Sequence, residues 1–262
     1  MTALLLGLAG LGAGAFGSLL GLGGGVLLVP VLTLVFGYPI VVAAGASLVA
    51  VIATSASAAS HYVRTGQADV RLGLVLETAT VVGALVGGLL AGFLPERVLA
   101  FGFAALLAYV AVILARRAMD GRADGDATEG DEDEGHRPLP RRLIVPAFAS
   151  AGGAGVISSL LGIGGGIVKV PLVHLLLGRS MRVSVATSNF VIGVTAAAGA
   201  FPYLARGDVD PAVAGPVVVG VAAGAFLGAR LGGRINARLL AIVFILVLLY
   251  TAAQMALRGM SG

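Results

Sequence analysis

The sequence predicts an all-α, polytopic membrane protein built from two inverted-topology repeats, each with a glycine-broken first helical segment and three further spans. Three observations lead there. Of 262 residues, 58% are hydrophobic and only 11% are charged, with a mean hydropathy of +1.02, and a soluble domain of this length needs more charge to stay in solution. Apolar runs of the roughly 20 residues that cross a bilayer recur, as at 72–94, 98–115 and 239–257. The chain also repeats itself: GLGGGVLLVP at 21–30 returns as GIGGGIVKVP at 162–171.

The repeat extends well past the glycines. At a constant offset of 141 and with no gap, Gly14 matches Gly155, Ser18 matches Ser159, and Pro30 matches Pro171. The identities continue through Ser47/Ser188, Thr54/Thr195, Tyr62/Tyr203, Asp69/Asp210, Gly87/Gly228 and Tyr109/Tyr250. A duplication this regular makes each half one structural unit: residues 1–117 and residues 143–262. Between them, 118–142 holds eight of the thirteen acidic residues and almost nothing apolar. Such a segment cannot bury a core and reads as a solvated, disordered linker.

Each half divides into five apolar segments, at 3–20, 26–36, 40–60, 72–94 and 98–115 in the first. The N-terminal MTALLLGLAG has no basic n-region and runs on into the repeat, so it is read as part of the first segment, not as a cleaved signal peptide. The first two segments flank the glycines as a hairpin or as two short spans. Either way the crossings per half are odd, and an odd number inverts the second half. Arginine placement agrees. With the linker cytoplasmic, inverted halves put Arg64, Arg71, Arg179, Arg182, Arg230, Arg234 and Arg238 inside and only Arg97, Arg206 and Arg258 outside. A parallel four-plus-four arrangement would strand six of these ten.

Gly23, Gly24 and Gly25, and their counterparts Gly164, Gly165 and Gly166, should break the first segment of each half, because each glycine costs roughly 1 kcal/mol relative to alanine in a helix. Irregular backbone at membrane depth is tolerated only where it is buried in protein or lines a cavity. Paired breaks in two repeats point to a transporter's substrate site. The unpaired N–H groups at such a break favour an anion. Gly83/Gly87 and Gly220/Gly224/Gly228/Gly232 follow GxxxG spacing and are assigned to helix packing.

Two ionisable residues interrupt apolar segments, which marks them as functional candidates. Lys169, the only lysine, stands three residues past Gly166 where the first half has Leu28. It suits an anionic substrate; the alternative is a lysine snorkelling to an interface. Glu77, whose repeat mate is Val218, could carry a coupling proton or pair with Lys169; pairing with an interfacial arginine such as Arg71 is the alternative. Ser18, Ser159, Ser47, Ser188 and Asn189 complete the candidate binding shell, with Thr54 and Thr195 two turns on. Serine and threonine in membrane helices more often satisfy their own helix, and recurrence at equivalent positions is what raises the serines.

Other chemistries find no support. The basic residues form no continuous face for nucleic acid, His61, His136 and His174 are scattered with no metal-ligand spacing, and neither a dinucleotide fingerprint nor a P-loop follows any glycine run. No nucleophile–base pair or cofactor motif suggests an enzyme, and no cofactor is expected.

The duplicated GSLLGLGGGVLLVPVL and SSLLGIGGGIVKVPLV, followed by GASLVAV and ATSNFVIGV, resemble the TauE/SafE sulfite-exporter family. The resemblance covers nearly the whole chain except the linker. It implies a bacterial or archaeal plasma-membrane protein that exports, or in some members imports, small sulfur-containing or organic anions such as sulfite, sulfoacetate and related sulfonates. The expected function is therefore a multi-pass secondary carrier of a small anion in the cell membrane, working by alternating access and compatible with a homo-oligomer. A passive anion channel and a non-transporting membrane sensor are the alternatives.

Overall fold

The computed structural model describes residues 1–19, 24–64, 69–119, 141–171, 173, 181–231 and 237–261. These form α1 (Thr2–Leu19), α2 (Gly25–Leu34), α3 (Ile40–Arg64), α4 (Val70–Ala91), α5 (Glu96–Met119), α6 (Arg141–Leu160), α7 (Gly166–Pro171), α8 (Met181–Arg206), α9 (Pro211–Leu231) and α10 (Ala237–Ser261). Shifting α2, α3, α4 and α5 by the repeat offset lands their first residues on the first residues of α7, α8, α9 and α10. Residues 120–140 of the acidic linker lie outside the described residues.

Helix is the only way these segments can satisfy their backbone in hydrocarbon. Among the described residues, five helices are long and apolar enough to cross a membrane, within α4, α5, α8, α9 and α10; α1, α2, α3 and α6 contribute shorter apolar stretches. The chain is a multi-pass membrane protein. Equivalent residues start equivalent helices: the Asp69 carboxylate accepts from Leu72 N at the head of α4 (2.9 Å), and Asp210 accepts from Ala212 N at the head of α9 (2.8 Å). Both glycine breaks are real. α1 ends at Leu19 and α2 begins at Gly25, behind Gly24 at φ 77°; α6 ends at Leu160 and α7 begins at Gly166, behind Gly165 at φ 95°. Only glycine adopts these angles cheaply. Gly24 packs on the carbonyl of Ala13, so α2 starts level with the interior of α1 and the two form a hairpin.

The halves embrace each other. α1 packs on α9, α6 on α4, α3 on α8 and α5 on α10, so each contact between halves has its exchange partner. Small residues make the closest of these contacts. A Cβ on Gly83 or Gly87 would overlap the backbone of Gly152 or Val156, and one on Gly220 or Gly224 that of Gly7 or Leu11. This is the small-residue packing that lets membrane helices approach closely. Gly88 and Gly92 instead make room for α8, at Gly199 and Arg206.

These contacts also give direction. Gly7, Leu11 and Ala15 meet Gly220, Gly224 and Gly228 in rising order, so α1 and α9 are parallel. α4 and α8 are parallel too, from Gly73 beside Thr187 to Gly88 beside Gly199. The repeat-equivalent pair α3 and α8 is antiparallel: Gly45 meets Tyr203, and Ser55 meets Gly193. So is α5 with α10, where Arg258 near the end of α10 bonds Glu96 at the start of α5 (3.0 Å) and Gly259 meets Phe101. Arg258 also donates to the Thr33 carbonyl (2.6 Å), and Glu96 accepts from Ile40 N (3.3 Å), which ties α2, α3, α5 and α10 together at one face. The core between them draws on both halves, with Leu28, Leu48, Phe103, Tyr203, Phe244 and Leu248 all buried.

Because Gly87 sits against the Val156 backbone whereas nothing lies within 4 Å of a Cβ on Gly153, the two glycines should respond differently to one methyl. Gly87→Ala is expected to cost about 1–3 kcal/mol and Gly153→Ala to stay within about 0.5 kcal/mol, read as thermal unfolding of the detergent-solubilised protein.

Candidate functional site

The break at Gly165 places Lys169 one turn into α7, with Lys169 N bonded to the Gly165 carbonyl (3.0 Å). From there the lysine side chain reaches two helices of different halves. Its Nζ lies 2.5 Å from Glu77 Oε2 on α4 and 2.5 Å from Thr195 Oγ1 on α8. Thr195 in turn donates to Glu77 Oε1, so the three groups close a ring in which the hydroxyl accepts from the ammonium and donates to the carboxylate. The Lys169 and Glu77 side chains are 6% and 5% exposed. Lys169 therefore pairs with Glu77 and does not snorkel; Arg71 is an exposed residue at the head of α4. Taking two charges out of water costs several kcal/mol each, and only close pairing with further hydrogen bonds repays it.

Beside this ring lies a small hollow with room for about one water molecule. Lys169, Glu77, Thr80, Thr187 and Ser188 stand around it, and the surface it presents is almost wholly apolar. Thr187 is held in place because its Oγ1 accepts from Asp69 N (2.9 Å). Ser188 is 1% exposed, and its Oγ has no hydrogen-bond partner among the described residues. Ser158 Oγ is likewise buried without one, and lies 3.1 Å from where a Cβ on Gly165 would stand. An orphaned buried hydroxyl costs about 1–3 kcal/mol, and beside a cavity it is a donor free to meet a ligand.

The two breaks meet. A Cβ on Gly25 would be 3.1 Å from the Ile163 carbonyl and 3.0 Å from Ser47 Oγ, and Ser47 donates to the Gly25 carbonyl (3.4 Å). On the other side Ser188 Oγ stands 3.8 Å from the Cβ position of Gly166. Ser47 and Ser188 thus stand beside the first residues of α2 and α7, Ser47 bonded there and Ser188 without a partner among the described residues. Gly164 packs on Val51 of α3, which brings the second half's break onto the first half.

The remaining expectations fare differently. Gly23 and the Ser18 side chain lie outside the described residues, as do His61, His136 and His174. Ser159, in the last turn of α6, turns its Oγ to Gly88 and Gly199 in the seam between α4 and α8, where it too is buried without a hydrogen-bond partner among the described residues. Asn189 is buried in α8 but does not line the cavity. No cluster of metal-binding side chains occurs among the described residues. Sequence reasoning gave no role to Thr80 or Ser158, while Thr187 neighbours Ser188 in the VATSNF stretch. Thr80 follows Glu77 at i+3 spacing on one helix face, a signal that was available; Ser158 carries none, since its repeat counterpart is Gly17.

Comparison with known proteins follows the same lines. The family model described as Sulfite exporter TauE/SafE matches residues 6–255. A Bacillus subtilis (strain 168) protein named probable membrane transporter protein YunE is 28% identical over 224 residues, covering 80% of this chain and 81% of its own. Another from the same strain, probable membrane transporter protein YdhB, is 29% identical over 202 residues, covering 77% and 78%. No solved structure matches the chain.

Breaking the buried pair from one side should be far worse than removing it. Lys169→Leu or Glu77→Val alone, each importing the residue found at the other half's equivalent position, is expected to cost roughly 3–5 kcal/mol by stranding a charge. The double variant should recover most of that loss. Thermal unfolding of the four proteins in one detergent reads the coupling.

Proposed function

The chain belongs to the sulfite exporter TauE/SafE family of membrane transporters, and from that premise we propose that it is a secondary carrier that exports a small anion, sulfite or an organosulfonate. The observation that carries this reading is the buried Lys169 ammonium, with Glu77 as its counter-charge, beside the unpartnered Ser188 hydroxyl. A buried cation whose counter-charge can be displaced, with hydroxyl donors around it, suits an oxyanion, since hydrogen bonds to charged groups are the strong ones. The glycine breaks leave backbone N–H groups at the heads of α2 and α7, where the peptide dipoles favour negative charge, although none of their glycines lines the hollow.

Two further points support alternating access. The equivalent pairs α3/α8 and α5/α10 are antiparallel, as halves of opposite membrane orientation require, and inverted repeats rocking about a fixed site are a common carrier design. Placing the linker and its flanking arginines in the cytoplasm of a cell-membrane protein then leaves only Arg97, Arg206 and Arg258 on the far side, against six in the parallel arrangement.

Proteoliposomes loaded with radiolabelled sulfite test the reading. Lys169→Ala removes a charged hydrogen-bond donor, and Gly165→Leu forces a side chain onto φ 95°. Each should lower flux by at least about tenfold, the equivalent of roughly 1.5–3 kcal/mol, with insertion unchanged. Undiminished flux in both variants, or single-channel current without counterflow, would remove the carrier site.

A further inference from the structure

We propose that Glu77 and the transported anion compete for Lys169, so that a proton binds Glu77 whenever an anion takes its place. The protein is then an electroneutral symporter of one proton with one monoanion, which exports whenever the inside-to-outside anion ratio exceeds the outside-to-inside proton ratio. This rests on the anion-carrier reading and names its coupling and its substrate class.

The geometry supplies each part. Lys169 has one counter-charge, Glu77 Oε2 at 2.5 Å, and Thr195 bridges the two. Both charged groups stand around the same one-water hollow as Ser188 and Thr187, so an anion that widens it meets the ammonium and the carboxylate together. With Glu77 ionised, the wall is already neutral, and the newcomer would add an uncompensated charge to a region closed to water. A proton on a Glu77 oxygen removes that excess: the carboxylate becomes an acid, Lys169 stays an ammonium, and the anion replaces the carboxylate as its partner. The only bond made is O–H, and it breaks again when the anion leaves and Glu77 returns to Lys169. Occupancy by proton and by anion thus favour each other reciprocally.

The same charge count sets the substrate class. A monoanion with one proton leaves the site as neutral as the empty pair; a dianion leaves it one charge short. The carrier therefore selects bisulfite, a sulfonate or a carboxylate over sulfate or the sulfite dianion. The site also occurs once. The equivalent position in the other half is formed by Leu28 on α2, Val218 on α9 and Thr54 on α3, whose hydroxyl donates to the Val51 carbonyl (3.0 Å).

Among the described residues, no further titratable group faces Glu77. On its own helix Arg71 is exposed, and Asp69 just before it caps Leu72 N. On α8, Tyr203 donates to the Ser159 carbonyl and Arg206 to Gly88 O and Asp208, all at the far end. Arg182 on α8 and Arg141 and Arg142 on α6 have side chains outside the described residues. Lys169 is the group that faces it from α7.

The test uses the full-length protein in liposomes containing a pH-sensitive dye, with the membrane potential clamped by potassium and valinomycin. Radiolabelled methanesulfonate, a monoanion at every working pH, is the probe, with radiolabelled sulfite alongside. Counterflow at equal pH reads carriage alone; its absence for both probes overturns the carrier reading and this inference with it. Given counterflow, an acid-outside gradient should accumulate the probe by about tenfold per pH unit, with one proton entering per anion and no response to the clamped potential. Accumulation that follows the potential, or anion entry without a proton, overturns the coupling and leaves the carrier standing. In Glu77→Gln, counterflow should lose its pH dependence and the gradient should no longer drive accumulation; accumulation that survives also overturns it. Wild-type stoichiometry decides even where that variant fails to insert.

Discussion

A lysine ammonium in a water-excluded interior persists only with a partner, and the contact between Lys169 and Glu77 is the one the rest of the arrangement serves. It joins α7 of the second half to α4 of the first, while Thr195 brings in α8. Removing one member strands a charge at a cost of several kcal/mol. The pair therefore dictates which helices must come together, and it does so at the wall of the cavity. Where hydrophobic association between helices is weak, as in lipid, such polar contacts and close small-residue packing carry the assembly.

Glycine does two separate jobs around that contact. Along α1, α4, α6 and α9 it removes side chains so that backbones can touch, which fixes the halves against each other. At Gly24 and Gly165 it provides left-handed turns that end one helix and restart another. The restart matters more for function, because it sets the register of α7 and so points Lys169 at Glu77. A rigid frame of glycine seams around two interrupted helices is the division of labour an alternating carrier needs: stiff halves and a site built from the pieces between them.

Much of this was legible in the residues. Hydropathy and the 141-residue offset located the helices closely, since both reflect strong local constraints: bilayer thickness and a duplicated chain. The breaks were legible because three consecutive glycines weaken a helix inside an apolar run, and the cluster recurs in both halves. Charge inside apolar segments pointed to Lys169 and Glu77, although each departs from its repeat mate. Their partnership was one alternative among several, because sequence carries no distance between α4 and α7. Recurrence alone does not separate a packing serine from a binding one: the Ser159 hydroxyl lies at Gly88 and Gly199, and repetition preserves a packing contact as readily as a binding one. Ser158 became visible only once the helices were placed.

The most direct test is a crystal structure with selenite, a sulfite analogue whose selenium scatters anomalously. A peak in the cavity within hydrogen-bonding reach of Lys169 Nζ and Ser188 Oγ, with α2 and α7 still starting at the glycines, is the result expected. A peak elsewhere in the molecule, or helices wound without interruption through Gly24 and Gly165, would contradict it.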